Sequence, residues 1–312
     1  MNRRDFLKTG SLAALSAGML GAFAGEAPAA GLERRPLGRT GHLRSVVTLG
    51  GIVVMKEDQG EADRLVGEAL DAGVNGVDVA PTYGDAELKL GHALRGKRDQ
   101  IFLAAKTTCR DRAGAAAELR ASLQRLETDH LDLYQLHALN TVEEWQTVTA
   151  PGGALAAFEE ARQQGLVRFL GLTGHQPSTL LTAIREYDFA TVMFPRNFIL
   201  AHYGYGEELL AEAGRRGLGV LAIKPTAERR WAAGETHTCP KCWYRPLTEN
   251  VDIHQAVCWA LAQPLTTIIP SGDMRLFRRT VQAARHVRPL TEAELAVLAT
   301  KAAETEPLFP VS

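Results

Sequence analysis

The sequence predicts an α/β chain folded as a (β/α)8 TIM barrel with a long loop after its seventh strand. Three observations point there. Eight short runs rich in Val, Ile, Leu or Ala recur along the chain, and stretches of helical spacing lie between them. No glycine-rich phosphate fingerprint follows the first run, where an open dinucleotide-binding sheet would carry one. Strand, helix, strand at this spacing requires parallel pairing, and eight units in roughly 250 residues suit a closed barrel better than an open doubly wound sheet.

Residues 1–30 are predicted to lie outside that fold. Arg3 and Arg4 stand before Phe6, Leu7 and Lys8, and the apolar stretch "SLAALSAGMLGAFAG" follows. This pattern reads as a signal peptide of the twin-arginine type, which implies the twin-arginine export machinery as a partner and a periplasmic or otherwise exported protein. The apolar part falls short of the ~20 residues that span a bilayer, so no permanent membrane anchor is expected. Cleavage after Ala24 or Ala29 would leave a mature protein that begins just before "GLERRPLGRTG", with residues 31–312 as one barrel domain.

The eight runs are, in order, "SVVTLGG", "GVNGVDVA", "QIFLAAKT", "HLDLYQLH", "VRFLGLTG", "ATVMFPRN", "LGVLAIKP" and "LTTIIPSG". Between the first two, Ala62, Leu65, Val66, Ala69 and Leu70 share one helical face; further on, Leu119, Leu123 and Leu126 do the same. After the seventh run, "TAERRWAAGETHTCPKCWYRPLTEN" shows no periodicity and reads as a lid over the barrel mouth. The 312 residues are 46% hydrophobic and carry 35 basic against 36 acidic side chains, a formal net charge of −1. That balance gives no reason to expect nucleic acid or an anionic membrane surface as partner. Four Cys are too few for a disulfide scaffold of this size. Cys239 and Cys242 could nonetheless form a local disulfide, half a zinc site completed by His237 or His254, or a simple packing pair; no metal is expected.

In such a barrel the chemistry sits where the C-terminal ends of the strands converge. The second run ends on Asp78 and then Tyr83, the third on Lys106, the fourth on His137, the fifth on Thr173 and His175. The sixth ends on Arg196 and Asn197, the seventh on Lys224, the eighth on Ser271. A carboxylate inside an apolar run needs a cation, and Lys106 on the next strand can supply it. The same ammonium would favour the phenolate of Tyr83 and lower its pKa, while His137 could donate a hydrogen bond to a substrate oxygen. Together these groups suit protonation of a carbonyl oxygen while hydride reaches the carbon. None of them carries hydride, so a nicotinamide cofactor, NADP or NAD, is implied.

At this point the sequence resembles the aldo-keto reductases. The resemblance runs from "RRPLGRTGHLRSVVTLGG", similar to the family's opening β-hairpin and first strand, through "GVDVAPTYGDAELKLGHAL", "FLAAKT" and "DHLDLYQLHALN", to the eighth strand. It implies that Asp78, Tyr83, Lys106 and His137 form a catalytic tetrad with Tyr83 as general acid or base, acting on a small carbonyl or alcohol. The chain departs from the family on the cofactor side. Thr173 and Gly174 stand where Ser-Asn is usual, Met193 where Gln is usual, and Arg279 and Thr280 near the place of Glu-Asn. The residues read as holding the cofactor are Gly50, Thr173, Lys224, Ser271, Gly272, Arg275 and Arg279. Ser271 and Gly272 are expected to open a helix whose free N–H groups suit a phosphate, with Arg275, Arg278 and Arg279 beside it.

Structural readings compete at each place. Asp78 with Lys106 could be an ion pair of the barrel alone, His137 a satisfied core histidine, the three arginines a solvated helix face, and Lys224 the cation of a second ion pair. The expected function is nicotinamide-dependent reduction of a carbonyl or oxidation of an alcohol. The alternative is a barrel that has lost nicotinamide turnover and binds sugars or small carbonyl compounds.

Overall fold

A computed structural model describes residues 31–310; the signal segment read in residues 1–30 lies outside the described residues. The chain opens with an antiparallel hairpin, β1 (Arg34–Pro36) and β2 (Leu43–Ser45). The first seven predicted runs then form β3 (Leu49–Gly50), β4 (Gly76–Asp78), β5 (Phe102–Thr107), β6 (Leu131–Leu136), β7 (Val167–Thr173), β8 (Thr191–Pro195) and β9 (Gly219–Ile223). A second hairpin, β10 (Ala227–Arg230) with β11 (Tyr244–Pro246), precedes the eighth barrel strand, β12 (Thr267–Ile269). The barrel strands neighbour one another in the order β12-β9-β8-β7-β6-β5-β4-β3, all parallel. The ring closes where Val47 bridges Ile268, with Thr48 N donating to Ile268 O at 3.0 Å and Ile268 N to Val46 O at 2.9 Å.

Around the barrel lie α1 (Gln59–Asp71), α2 (Ala86–Ala93), α3 (Arg112–Arg125), α4 (Val142–Thr149), α5 (Ala154–Gln163) and α6 (Pro177–Glu186). They are followed by α7 (Phe198–His202), α8 (Glu207–Arg215), α9 (Asn250–Leu261), α10 (Met274–Arg285) and α11 (Glu292–Ala303). The predicted faces are the ones buried: α1 turns Ala62, Leu65, Val66 and Ala69 inward, and α3 buries Leu119. No helix among the described residues is long and apolar enough to cross a membrane.

Side chains alternate along a strand, and this parity sorts the barrel. Phe102 and Ala104 of β5 join Leu37, Leu133, Met193, Leu221 and Ile269 in an inner cluster, while Leu103 and Ala105 face the helices. The first hairpin plugs the N-terminal end. Leu37 is fully buried in the inner cluster, and the buried Arg44 donates to Phe102 O at 2.9 Å and Thr48 Oγ1 at 3.2 Å. Gly76 makes room for it, since a Cβ there would stand 1.9 Å from the Arg44 guanidinium carbon. Only the C-terminal mouth stays open.

The segment after the seventh strand differs from the expectation of an aperiodic loop. Its two ends pair as the β10–β11 hairpin, with a bulge between Ala227 and Arg229 that breaks the register. Strands of four and three residues interrupted by a bulge are too short to display alternation in sequence.

Candidate active site

The parity that places Phe102 and Ala104 inside the barrel carries on to Lys106. From Leu133 it continues to Gln135 and His137, and from Gly76 to Asp78. These side chains therefore meet at the mouth. Lys106 Nζ donates to Asp78 Oδ1, and also to Val79 O at 3.1 Å. The second carboxylate oxygen, Asp78 Oδ2, accepts from Gln135 Nε2 at 2.8 Å. Tyr83 arrives on the turn between β4 and α2, where Tyr83 N donates to Ala80 O at 3.0 Å and Ala86 N to Tyr83 O at 3.0 Å. Lys106 Nζ lies 5.0 Å from the Tyr83 ring centre, and the His137 ring meets Tyr83 edge-on at 5.8 Å. All four residues of the predicted tetrad line one cavity of about 270 Å³.

Gln135 is the member that sequence reasoning missed. The signal was present: a polar side chain in an apolar strand, two residues before His137 and on the same inward parity.

Burial dominates the electrostatics. It draws the Lys106 ammonium downward, but Asp78 and Tyr83 outweigh it and leave the group above its ordinary value. Burial lifts the Tyr83 hydroxyl above its ordinary value while Lys106 pulls against that shift. The expected lowering of Tyr83 is thus reversed, because desolvation of a phenolate exceeds the pull of an ammonium already shared with Asp78. Burial, helped by Lys106, drives His137 down to about 3, so its ring is neutral; among the described residues its buried Nδ1 has no hydrogen-bond partner.

Of the residues read as holding a cofactor, Gly50, Thr173, Lys224 and Gly272 line the cavity. Met193 lines it too, at the position where Gln was the expectation. Thr173 Oγ1 accepts from Ala138 N at 3.0 Å, which leaves its own proton to donate. Gly174 cannot bear a side chain, because a Cβ there would lie 2.3 Å from Leu139 O.

Ser271, Arg275 and Arg279 are engaged by other groups of the chain. The Ser271 hydroxyl is buried and accepts from Tyr244 Oη at 3.1 Å. The helix begins at Met274, not at Ser271, and Asp273 caps it by accepting from Arg275 N at 2.9 Å and Leu276 N at 3.2 Å. A carboxylate thus occupies the N–H groups expected to take a phosphate. The same Asp273 holds the Arg275 guanidinium at 2.8 Å, Arg278 pairs with Glu68 at 2.7 Å, and Arg279 donates to Thr248 O. Thr280 is buried and bonds back to Leu276 O at 2.9 Å.

The remaining strand-end residues divide. Arg196 is buried in structural contacts, donating to Tyr205 O at 2.9 Å and pairing with Glu207 at 2.7 Å. Asn197 caps α7 and donates from Nδ2 to Lys224 O at 3.1 Å. The second ion pair expected for Lys224 is not formed: its ammonium faces His175 Nε2 at 3.2 Å, and no carboxylate pairs with it among the described residues.

The arm between β10 and β11 reaches the cavity as expected of a lid, through Lys241, Cys242, Trp243 and Tyr244. Lys241 ties it across the mouth by donating to Val53 O at 2.8 Å and pairing with Glu57. Trp231 turns elsewhere, stacking on His237 at 4.6 Å and donating to Cys242 O at 2.9 Å. Cys239 and Cys242 are buried free thiols joined by a Cys242 N to Cys239 O turn at 2.9 Å. His254 lies against Cys258 and His286 O instead of the Cys pair.

The barrel and its mouth define an α/β-barrel protein with a buried carboxylate–ammonium pair beside a tyrosine and a neutral histidine. The sequence profile described as the Aldo/keto reductase family matches residues 48–243, which span all four of those residues. The chain belongs to that family of oxidoreductases. It is similar to the uncharacterized oxidoreductase YqkF of Bacillus subtilis, 25% identical over 300 residues that cover 86% of this chain and 95% of YqkF. It is also similar to YrpG of the same organism, 29% identical over 302 residues, 81% of this chain and 91% of YrpG. The solved aldo-keto reductase AKR11C1 from Bacillus halodurans, in its holo form, shares the fold with a TM-score of 0.67 and 24% identity, over 89% of this chain and 98% of that one.

Proposed function

We propose that this chain transfers hydride between a nicotinamide cofactor and a small carbonyl or alcohol, with Tyr83 as the general acid or base. The observation that carries the reading is the partnered Asp78 carboxylate, held by Lys106 and Gln135 within one cavity with Tyr83 and His137. A Tyr hydroxyl raised above its ordinary value stays protonated at neutral pH and so carries the proton to be given, while its burial makes it a weaker acid and Lys106 offsets part of that cost. As that proton leaves, the neighbouring Lys106 ammonium stabilises the phenolate. His137, held neutral, can direct an N–H at the carbonyl oxygen without adding a competing charge.

The nicotinamide end of a cofactor fits the residues present. Thr173 keeps a donor for a carboxamide oxygen, and Gly50 and Gly272 leave the cavity wall without side chains. When bound, a nicotinamide would supply or accept the hydride. The binding-protein reading draws support from one observation, the capped α10 terminus with Arg275 already held by Asp273. Fluorescence titration with NADPH and NADH separates the two. Saturable binding of either at micromolar concentration is expected; binding of neither would favour the binding protein.

We also propose export through the twin-arginine signal in residues 1–30, on the strength of Arg3, Arg4, Phe6, Leu7 and Lys8. A cofactor loaded in the cytoplasm and retained by the lid would then travel with the folded chain. Cell fractionation tests this: the wild type should appear in the periplasm, and Arg3→Lys with Arg4→Lys should keep it in the cytoplasm. Equal distribution of both would refute export by this route.

A further inference from the structure

Lys224 lies in the wall of the same cavity, and the proton transfer at Tyr83 does not use it. It follows β9, the seventh barrel strand, whereas Lys106 sits on β5, the third; four positions apart in a ring of eight, they face each other across the mouth. The two ammonium groups differ in their surroundings. Lys106 has Asp78, and Lys241 of the lid has Glu57. Among the described residues, the groups in contact with Lys224 are neutral. His175 Nε2 stands 3.2 Å away, and the ring centres of Trp243, Tyr244 and Phe309 lie 5.6, 5.9 and 5.7 Å from its Nζ. Burial holds His175 near 3, so this imidazole is an acceptor and brings no charge.

The backbone at Lys224 is left-handed, with φ 60°, a conformation that side chains other than glycine seldom take. Asn197 steadies it through the Nδ2 bond to the Lys224 carbonyl. A strained, buried cation without a counter-charge among the described residues is a feature that folding alone does not favour, and such features concentrate at ligand contacts. Burial also lowers this ammonium to about 7, so an arriving anion would restore its charge.

We propose that Lys224 is a specificity-determining residue that receives a carboxylate on the substrate, so that the site prefers oxo acids and hydroxy acids to neutral carbonyl compounds and alcohols. The proposal rests on the reductase reading above. A single carboxylate matches a single ammonium in charge, and in a cavity of about 270 Å³ the acid and the reacting carbonyl can belong to one small molecule spanning from Lys224 to Tyr83. A cofactor diphosphate, the other source of an anion here, carries two charges. The arginines read as its partners, Arg275 and Arg279, are held by Asp273 and by Thr248 O.

The test compares 4-carboxybenzaldehyde with its methyl ester as substrates, using whichever nicotinamide the titration shows to bind. For the wild type, kcat/KM should favour the acid by about tenfold or more, the size of one charge-assisted hydrogen bond. Lys224→Met should collapse that ratio, and Lys224→Arg should largely keep it, which a packing role would not require. A wild-type ratio near one, or a ratio unchanged in Lys224→Met, overturns the proposal. So does a Lys224→Met variant that weakens cofactor binding and keeps the ratio, since the diphosphate would then be the partner. If the wild type turns over neither aldehyde, the reductase reading fails separately. Benzoate against benzamide, followed by tryptophan fluorescence, then decides: benzoate bound about tenfold tighter by the wild type sustains carboxylate recognition, and equal binding refutes it. That comparison also serves if Lys224→Met does not fold.

Discussion

Asp78 has both carboxylate oxygens partnered inside the barrel, Oδ1 by Lys106 and Oδ2 by Gln135, and this makes the pair interdependent. Lys106→Met removes the cation at roughly constant volume and leaves the carboxylate buried with one amide. Stability should fall by about 3 kcal/mol and turnover should be lost. Adding Asp78→Asn should recover part of the stability and none of the turnover, as read by denaturant midpoints. A double variant no more stable than the single would show that the two side chains are not coupled. Asp78, Lys106 and His137 were legible as candidates because each is a polar group at or just past the C-terminal end of an apolar run, and Tyr83 follows on the turn after the second run. The direction of the Tyr83 shift was not legible: the chain shows that an ammonium is near, but only the packed structure shows how completely water is excluded. The ion-pair alternative for Lys224 is not met for a related reason, since its neutral partners come from separate segments that meet only in three dimensions.

Elements explain the altered cofactor side. The turn after β6 approaches β7 so closely that Leu139 N donates to Thr173 O at 2.7 Å, and this approach leaves no room for a side chain at Gly174. Restoring the family's usual residue by Gly174→Asn should therefore destabilise the chain by about 1–3 kcal/mol without tightening nicotinamide binding. A variant of unchanged thermal midpoint and stronger binding would contradict that reading. At α10 the sequence carried a usable signal that a different pattern obscured. Asp273 directly precedes the helix, a residue type strongly preferred as a cap, whereas "IPSG" drew the expected start to Ser271, ahead of that cap. The β10–β11 hairpin had no comparable signal, because its short strands and bulge leave no repeated spacing to read.

At the scale of the whole molecule, the count of eight strands was readable because the barrel strands are largely buried and therefore appear as mainly apolar runs between helical stretches. The closing of the ring through Val47 and Ile268 and the plug made by Leu37 and Arg44 depend on contacts between distant segments. That plug leaves one open end, where second, third and fourth barrel strands deliver Asp78, Lys106, Gln135 and His137 to one place, and the adjoining turn brings Tyr83. The reductase reading depends on the hydroxyl of Tyr83 more than on any other single atom, and Tyr83→Phe deletes that hydroxyl with little loss of packing. The direct measurement is consumption of NADPH or NADH with a small aldehyde by wild type and by Tyr83→Phe, alongside the dissociation constant of the cofactor for each. Loss of at least about 10²-fold in turnover with cofactor affinity preserved is the expected result, the scale on which a positioned proton donor acts. Turnover by Tyr83→Phe within a few-fold of the wild type would contradict it.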